Sequence, residues 1–125
     1  MLRTNTVVLL VSLSVLAIVH ILAIELALYW IYRWLDLPVH VLGGIVVALA
    51  LYTLRDLRVP VPQSWYRFSP FMVAVLLIAI GWEGYEVVIG VLPDPAYWFD
   101  TLTDILMGLI GGAFGFVLGR RLQTL

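Results

Sequence analysis

The chain has 125 residues, 63% of them hydrophobic and 12% charged, with mean hydropathy +1.07 and formal net charge -1. A soluble domain carries roughly twice that charged fraction, so the composition excludes an ordinary globular fold and places the chain in a bilayer. Near-neutral charge, with no basic patch apart from short arginine clusters, argues against a nucleic-acid partner. The absence of cysteine excludes disulfides and thiolate metal or redox sites.

Four apolar segments follow in chain order, at about 7–31, 38–54, 70–91 and 101–118. Each is close to the roughly 20 residues that span about 30 Å of hydrocarbon. The first is too long for the apolar part of a signal peptide, carries His20 and Glu25, and lacks a small-residue cleavage site. It is expected to be retained. Pro38 and Pro70 stand where a first-turn proline is tolerated, because that N–H has no helical partner. The stretches "RDLRVPVPQSWYRFS" (55–69) and "LPDPAYW" (92–98) read as connections. The fold expected is all-α, one domain (1–125), a bundle of four transmembrane helices.

In a four-span arrangement, Arg3, Arg55, Arg58, Arg67, Arg120 and Arg121 fall on one side and Arg33 alone on the other. The positive-inside rule then puts both termini and the middle connection in the cytoplasm. Aromatic runs mark the two interfaces, with "YWIYRW" (29–34) and "YWF" (97–99) outside and "WYRF" (65–68) inside.

The acids do not scatter over this frame. The stretch "GWEGYEVVIG" (81–90) sets Glu83 and Glu86 inside apolar helix. Insertion scales charge about 2.5 to 3.5 kcal/mol for an ionised residue at a helix centre, so such a pair needs a partner, a proton or a cation. Antiparallel threading brings Glu25, Asp36, Glu83, Glu86, Asp100 and Asp104 to one layer near the outer interface. Asp36 and His40 are four apart, as are Asp100 and Asp104, and Glu83 and Glu86 are three apart, so each pair shares a helix face.

Carboxylates and one imidazole converging in a bundle suit Mg²⁺, Mn²⁺ or Ca²⁺ and tolerate Zn²⁺ or Fe²⁺. The expected ligands are Asp36, His40, Glu83, Glu86, Asp100 and Asp104. The same crowd of acids also reads as a proton relay. Asp36 and Asp100 have a further reading as helix N-caps, and Arg33 is the natural ion-pair partner for Glu83 and Glu86. His20, five residues from Glu25, reads as a helix–helix hydrogen-bonding residue, and Glu25 as a support to the ligands. Gly108, Gly111, Gly112, Gly115 and Gly119 form a small-residue stripe that suits close helix packing within a bundle or in a homo-oligomer.

"DLPVHVLGG" (36–44), "WEGYEVV" (82–88) and "DTLTDILMGLIGGAFG" (100–115) resemble, in order, the three signatures of VanZ-like membrane proteins, closest to the YjdF-type inner-membrane family. The resemblance spans the last three helices and places the family's polar positions on Asp36, His40, Glu83, Glu86, Asp100 and Asp104. It implies a site more than a reaction.

Three uses of the layer remain open. A metal at headgroup depth acts on a lipid or lipid-linked substrate, with Glu83 or Glu86 as general base. Alternatively the cluster carries cations or protons in a transporter or sensor subunit, or the chain is a non-catalytic membrane scaffold.

Overall fold

A computed structural model describes residues 3–89 and 97–123. Among these residues five α-helices are formed: α1 (Thr4–Glu25), α2 (Leu28–Ile31), α3 (Asp36–Asp56), α4 (Phe68–Ile89) and α5 (Tyr97–Leu122). Single 3-10 turns at Arg33–Leu35 and Gln63–Tyr66 lead into α3 and α4. No strand occurs among the described residues, and Asp94 lies outside them.

Four stretches are long and apolar enough to cross a membrane: Thr4–Glu25, Arg33–Asp56, Phe68–Val88 and Trp98–Leu122. The protein is an all-α bundle of four transmembrane helices. Only 6% of the most apolar stretch of α1 is buried, against 33% for the span containing α3 and 39% for that of α5. The last two therefore form the centre, and α1 turns most of its surface to lipid.

Glycine explains that centre. A Cβ on Gly44 would overlap the Gly108 carbonyl, and one on Gly111 the Val41 carbonyl. The backbones of α3 and α5 thus touch, which only glycine permits. Further along, Gly115 meets Ala48 and Gly119 meets Tyr52, so α3 and α5 run parallel. Gly112 faces Val75 while Gly108 faces Ala79, so α4 runs antiparallel to both. The stripe expected to serve packing or an oligomer is used inside the chain.

The arginine-bearing half closes over an apolar core of Ala48, Tyr52, Phe71, Val75 and Phe116. Its rings meet at offset or edge angles, with centroids 5.2 Å apart for Tyr52–Phe71 and 5.0 Å for Phe71–Phe116. Beyond the core, Asp56 ends α3 with its side chain only 4% exposed. It accepts hydrogen bonds from Asn5 Nδ2 (3.4 Å), Thr6 Oγ1 (3.1 Å) and Gln123 Nε2 (3.2 Å), and pairs with Arg3 at 3.6 Å. The residue expected in a solvated connection instead ties α1, α3 and the end of α5 together.

The first helix departs from its expected extent. It stops at Glu25, because Ala27 takes a left-handed conformation (φ 53) and the chain restarts as the single-turn α2. Hydropathy cannot mark that break, since its flanks, Leu26 and Leu28, are as apolar as the helix itself. The α-helix of the second span likewise begins at Asp36 rather than Pro38, which leaves Pro38 inside the first turn.

Candidate functional site

The packing register assembles the polar layer. Gly44 rests on Gly108, and α3 and α5 are parallel, so the residues one turn earlier, His40 and Asp104, also face each other. Ala79 of α4 lies opposite Gly108 and runs the other way, so one turn onward Glu83 comes level with Asp104. Asp104 is seven residues into α5, roughly 10 Å along its axis.

His40 is the centre of the cluster. Its Nε2 lies 3.4 Å from Asp36 Oδ1 and 3.9 Å from Asp104 Oδ2, and its side chain is 11% exposed. Two sets of side chains present ligand atoms within 4.8 Å of one another, Asp36–His40–Asp104 and His40–Glu83–Glu86. They share His40, which joins donors from α3, α4 and α5. Neighbouring ligands around an ion with bonds of about 2.1 Å sit roughly 3 to 4 Å apart, so both His40 distances suit a common cation.

The surroundings of each acid differ. Asp104 and Glu83 are buried, 4% and 8% exposed. Thr101 reaches the Glu83 carboxylate across the α4–α5 contact. Glu86 is half-buried and accepts a 2.8 Å hydrogen bond from Trp82 Nε1, one turn back on its own helix. Asp104 Oδ1 is buried and has no hydrogen-bond partner. An unpartnered buried carboxylate oxygen costs roughly 1 to 3 kcal/mol or more, so Asp104 is the acid of the cluster least satisfied by its neighbours.

Of the expected ligands, five converge. Asp100 is exposed on the first turn of α5 and belongs to neither set. Glu25 is exposed at the end of α1 and also stands outside both sets.

His20 is nearer the cluster than its spacing from Glu25 indicates. Its ring packs edge-on against Trp82, with centroids 5.7 Å apart, and Nδ1 is 2.9 Å from the Tyr29 hydroxyl. Burial pushes the Tyr29 phenol up to about 12, with the charges of Asp36 and Glu86 adding to the shift, so Tyr29 stays a neutral partner. Tyr29 was legible only as an interface aromatic. The left-handed turn at Ala27 brings it back over His20, and no linear spacing encodes that turn. His20 did carry a signal, since it lies in the same half of the bundle as the acids.

Fold and cluster define a class: a four-span helical membrane protein in which four carboxylates and an imidazole meet in one layer at the end of the bundle opposite six of its seven arginines. Residues 2–124 match the family described as "Predicted membrane protein (DUF2238)", and the chain belongs to that family. It matches no curated protein and no solved structure.

Proposed function

We propose that the chain is a divalent-cation-binding membrane protein whose site is formed by Asp36, His40, Asp104, Glu83 and Glu86. The observation that carries this reading is Asp104 Oδ1, buried without a partner beside His40 and Asp36, with Glu83 and Glu86 grouped around the same imidazole. An oxygen-rich set with one nitrogen favours Mg²⁺, Mn²⁺ or Ca²⁺ and accommodates Zn²⁺ or Fe²⁺. Kinship to VanZ-like, YjdF-type proteins is part of the proposal and rests on the three motifs that supply these residues.

The use proposed for the cation is polarisation of a phosphate or ester in a lipid or lipid-linked headgroup, because the layer lies about two turns from the helix ends. Glu86, half-buried and oriented by Trp82, is the better placed of the two glutamates to take a proton from water. The six-to-one arginine distribution supports cytoplasmic termini in the cell membrane, which would set the layer toward the outer face.

The test is metal content of the detergent-purified chain by mass spectrometry. About one equivalent is expected in the wild type, with loss in Asp104→Asn and Glu86→Gln and retention in Asp100→Asn. Wild-type protein that holds no metal and takes up none on addition would sink the proposal. The carboxylates would then be carriers of protons or structural partners.

A further inference from the structure

At the end of the bundle opposite the acids, the structure holds a cavity of about 590 Å³, within the roughly 300 to 1,000 Å³ typical of small-molecule sites. Four guanidinium groups line it: Arg3 ahead of α1, Arg55 on α3, Arg67 ahead of α4 and Arg120 on α5. Tyr52 and Phe116, from the aromatic core, provide apolar wall. Among the described residues no acid lines this cavity.

The charge balance there is one-sided. Asp56 is the single acid at this end among the described residues, against six arginines in the sequence. It is already engaged by Asn5, Thr6, Gln123 and Arg3. One of the lining arginines is held in place by neutral groups. Arg55 donates to Gln123 Oε1 at 3.2 Å and lies 5.6 Å from the centre of the Tyr66 ring. Arg67 and Arg120 make no ion pair with a described carboxylate. The positive-inside bias asks only for arginine near this face. It does not require four, from four separate parts of the chain, to line one cavity while Arg58 and Arg121 remain outside it.

We propose that this cavity binds a phosphate-bearing anion, held by Arg67 and Arg120 with Arg55 and Arg3 beside them. Guanidinium forks match phosphate oxygens in pairs, and basic pockets between membrane helices are suited to anionic headgroups. The volume exceeds what a bare phosphate fills, and the aromatic wall can cover the glycerol portion of a lipid. Phosphate chemistry is common to a phospholipid headgroup and to the free ion, and the experiment separates the two. The site is independent of the cation cluster.

The delipidated full chain in neutral detergent is titrated with phosphatidylglycerol, with phosphatidylcholine and with inorganic phosphate, and adducts are counted by native mass spectrometry. One phosphatidylglycerol per chain is expected, bound more tightly than phosphatidylcholine. Arg67→Gln and Arg120→Gln should each weaken retention roughly tenfold or more, and Arg120→Lys by less, as a charge is kept while the fork is lost. Arg58→Gln removes the same charge outside the cavity and should stay within about twofold.

Displacement of the lipid by millimolar phosphate would support the site and name the free ion as a competing ligand. Resistance to phosphate would support it with the lipid as the ligand. Equal losses in Arg58→Gln and the cavity variants, or no preference over phosphatidylcholine, would overturn it. Arg67 lies exposed between the helices, so its variant can be read without loss of fold, as checked by an unchanged unfolding temperature.

Discussion

At the residue scale, the informative contrast is between two buried carboxylates. Asp56 receives three hydrogen-bond donors and a guanidinium, whereas Asp104 has one oxygen facing His40 and another facing nothing. The first is therefore structural. We predict that Asn5→Ala, which removes one of its donors together with contacts to Thr53 Oγ1 (3.0 Å) and the Leu49 carbonyl (3.3 Å), costs about 1 to 2 kcal/mol. A lowered unfolding temperature in detergent, with metal content intact, is the expected result. Asp104 should behave in the opposite sense. With metal removed, Asp104→Asn is expected to equal or exceed the wild type in stability, because the substitution takes away a buried carboxylate that only His40, at 3.9 Å, offsets. With cation at 100 times its Kd the wild type should gain about 2.7 kcal/mol and the variant nothing. Melting curves with and without chelator decide this. A variant less stable than wild type in chelator would make Asp104 a structural residue.

At the element scale, the α3–α5 crossing determines whether the site exists. Gly44 and Gly43 are neighbours in sequence with opposite surroundings. A Cβ on Gly44 meets the backbone of α5, which cannot yield, whereas one on Gly43 has nothing within 4 Å. Gly44→Ala should therefore separate the helices, cost about 1 to 3 kcal/mol and lengthen the 3.9 Å approach of His40 to Asp104. Gly43→Ala should be neutral or slightly stabilising, as alanine is the better helix former. The paired measurement is unfolding temperature and bound metal, and equal behaviour of the two variants would refute the packing. Ala27 offers the converse case. Ala27→Gly removes the left-handed penalty of roughly 1 kcal/mol and should raise stability with no loss of the His20–Tyr29 contact. Helix periodicity made the small-residue stripe readable, and with it close packing against the glycines of the second helix, but not the register of that contact. That depended on which glycine of α3 would face it, and the chain offers two adjacent ones.

At the scale of the whole molecule, what was legible and what was not divides along one physical line. Burying ionisable groups in hydrocarbon is expensive, so their depth and common layer could be read from hydropathy and helix direction alone. Hence Asp36, His40, Glu83, Glu86 and Asp104 came out as neighbours before any contact was known. Asp100 shares the helix face of Asp104 but lies one turn nearer the exposed end of α5, and that single turn was too little to separate a solvated acid from a ligand. The structural role of Asp56 was hidden for the opposite reason. Its partners, Asn5, Thr6 and Gln123, are dozens of residues away and neutral, so no charge pattern points to them.

The two polar ends give the molecule a direction, and that direction can be tested through the site itself. In the orientation proposed, with six arginines inside, the proposed cation site faces outward, and Asp36 at 32% side-chain exposure is the member of its set most open to solvent. Reconstituted vesicles can be sorted by a tag at the C-terminal end, accessible outside or shielded within. In vesicles with the tag inside, external EDTA, which does not cross the bilayer, should strip the metal. In vesicles with the tag outside, the same treatment should leave it bound until detergent is added. Stripping in the second population alone would still support a one-ended site but would place the tagged end and the layer on the same face, contrary to the arrangement of the helices. Stripping in both populations at equal rates would mean the cation is reached from either side. The layer would then be part of a path through the bundle rather than a site on one face, and the transport reading would displace the headgroup one.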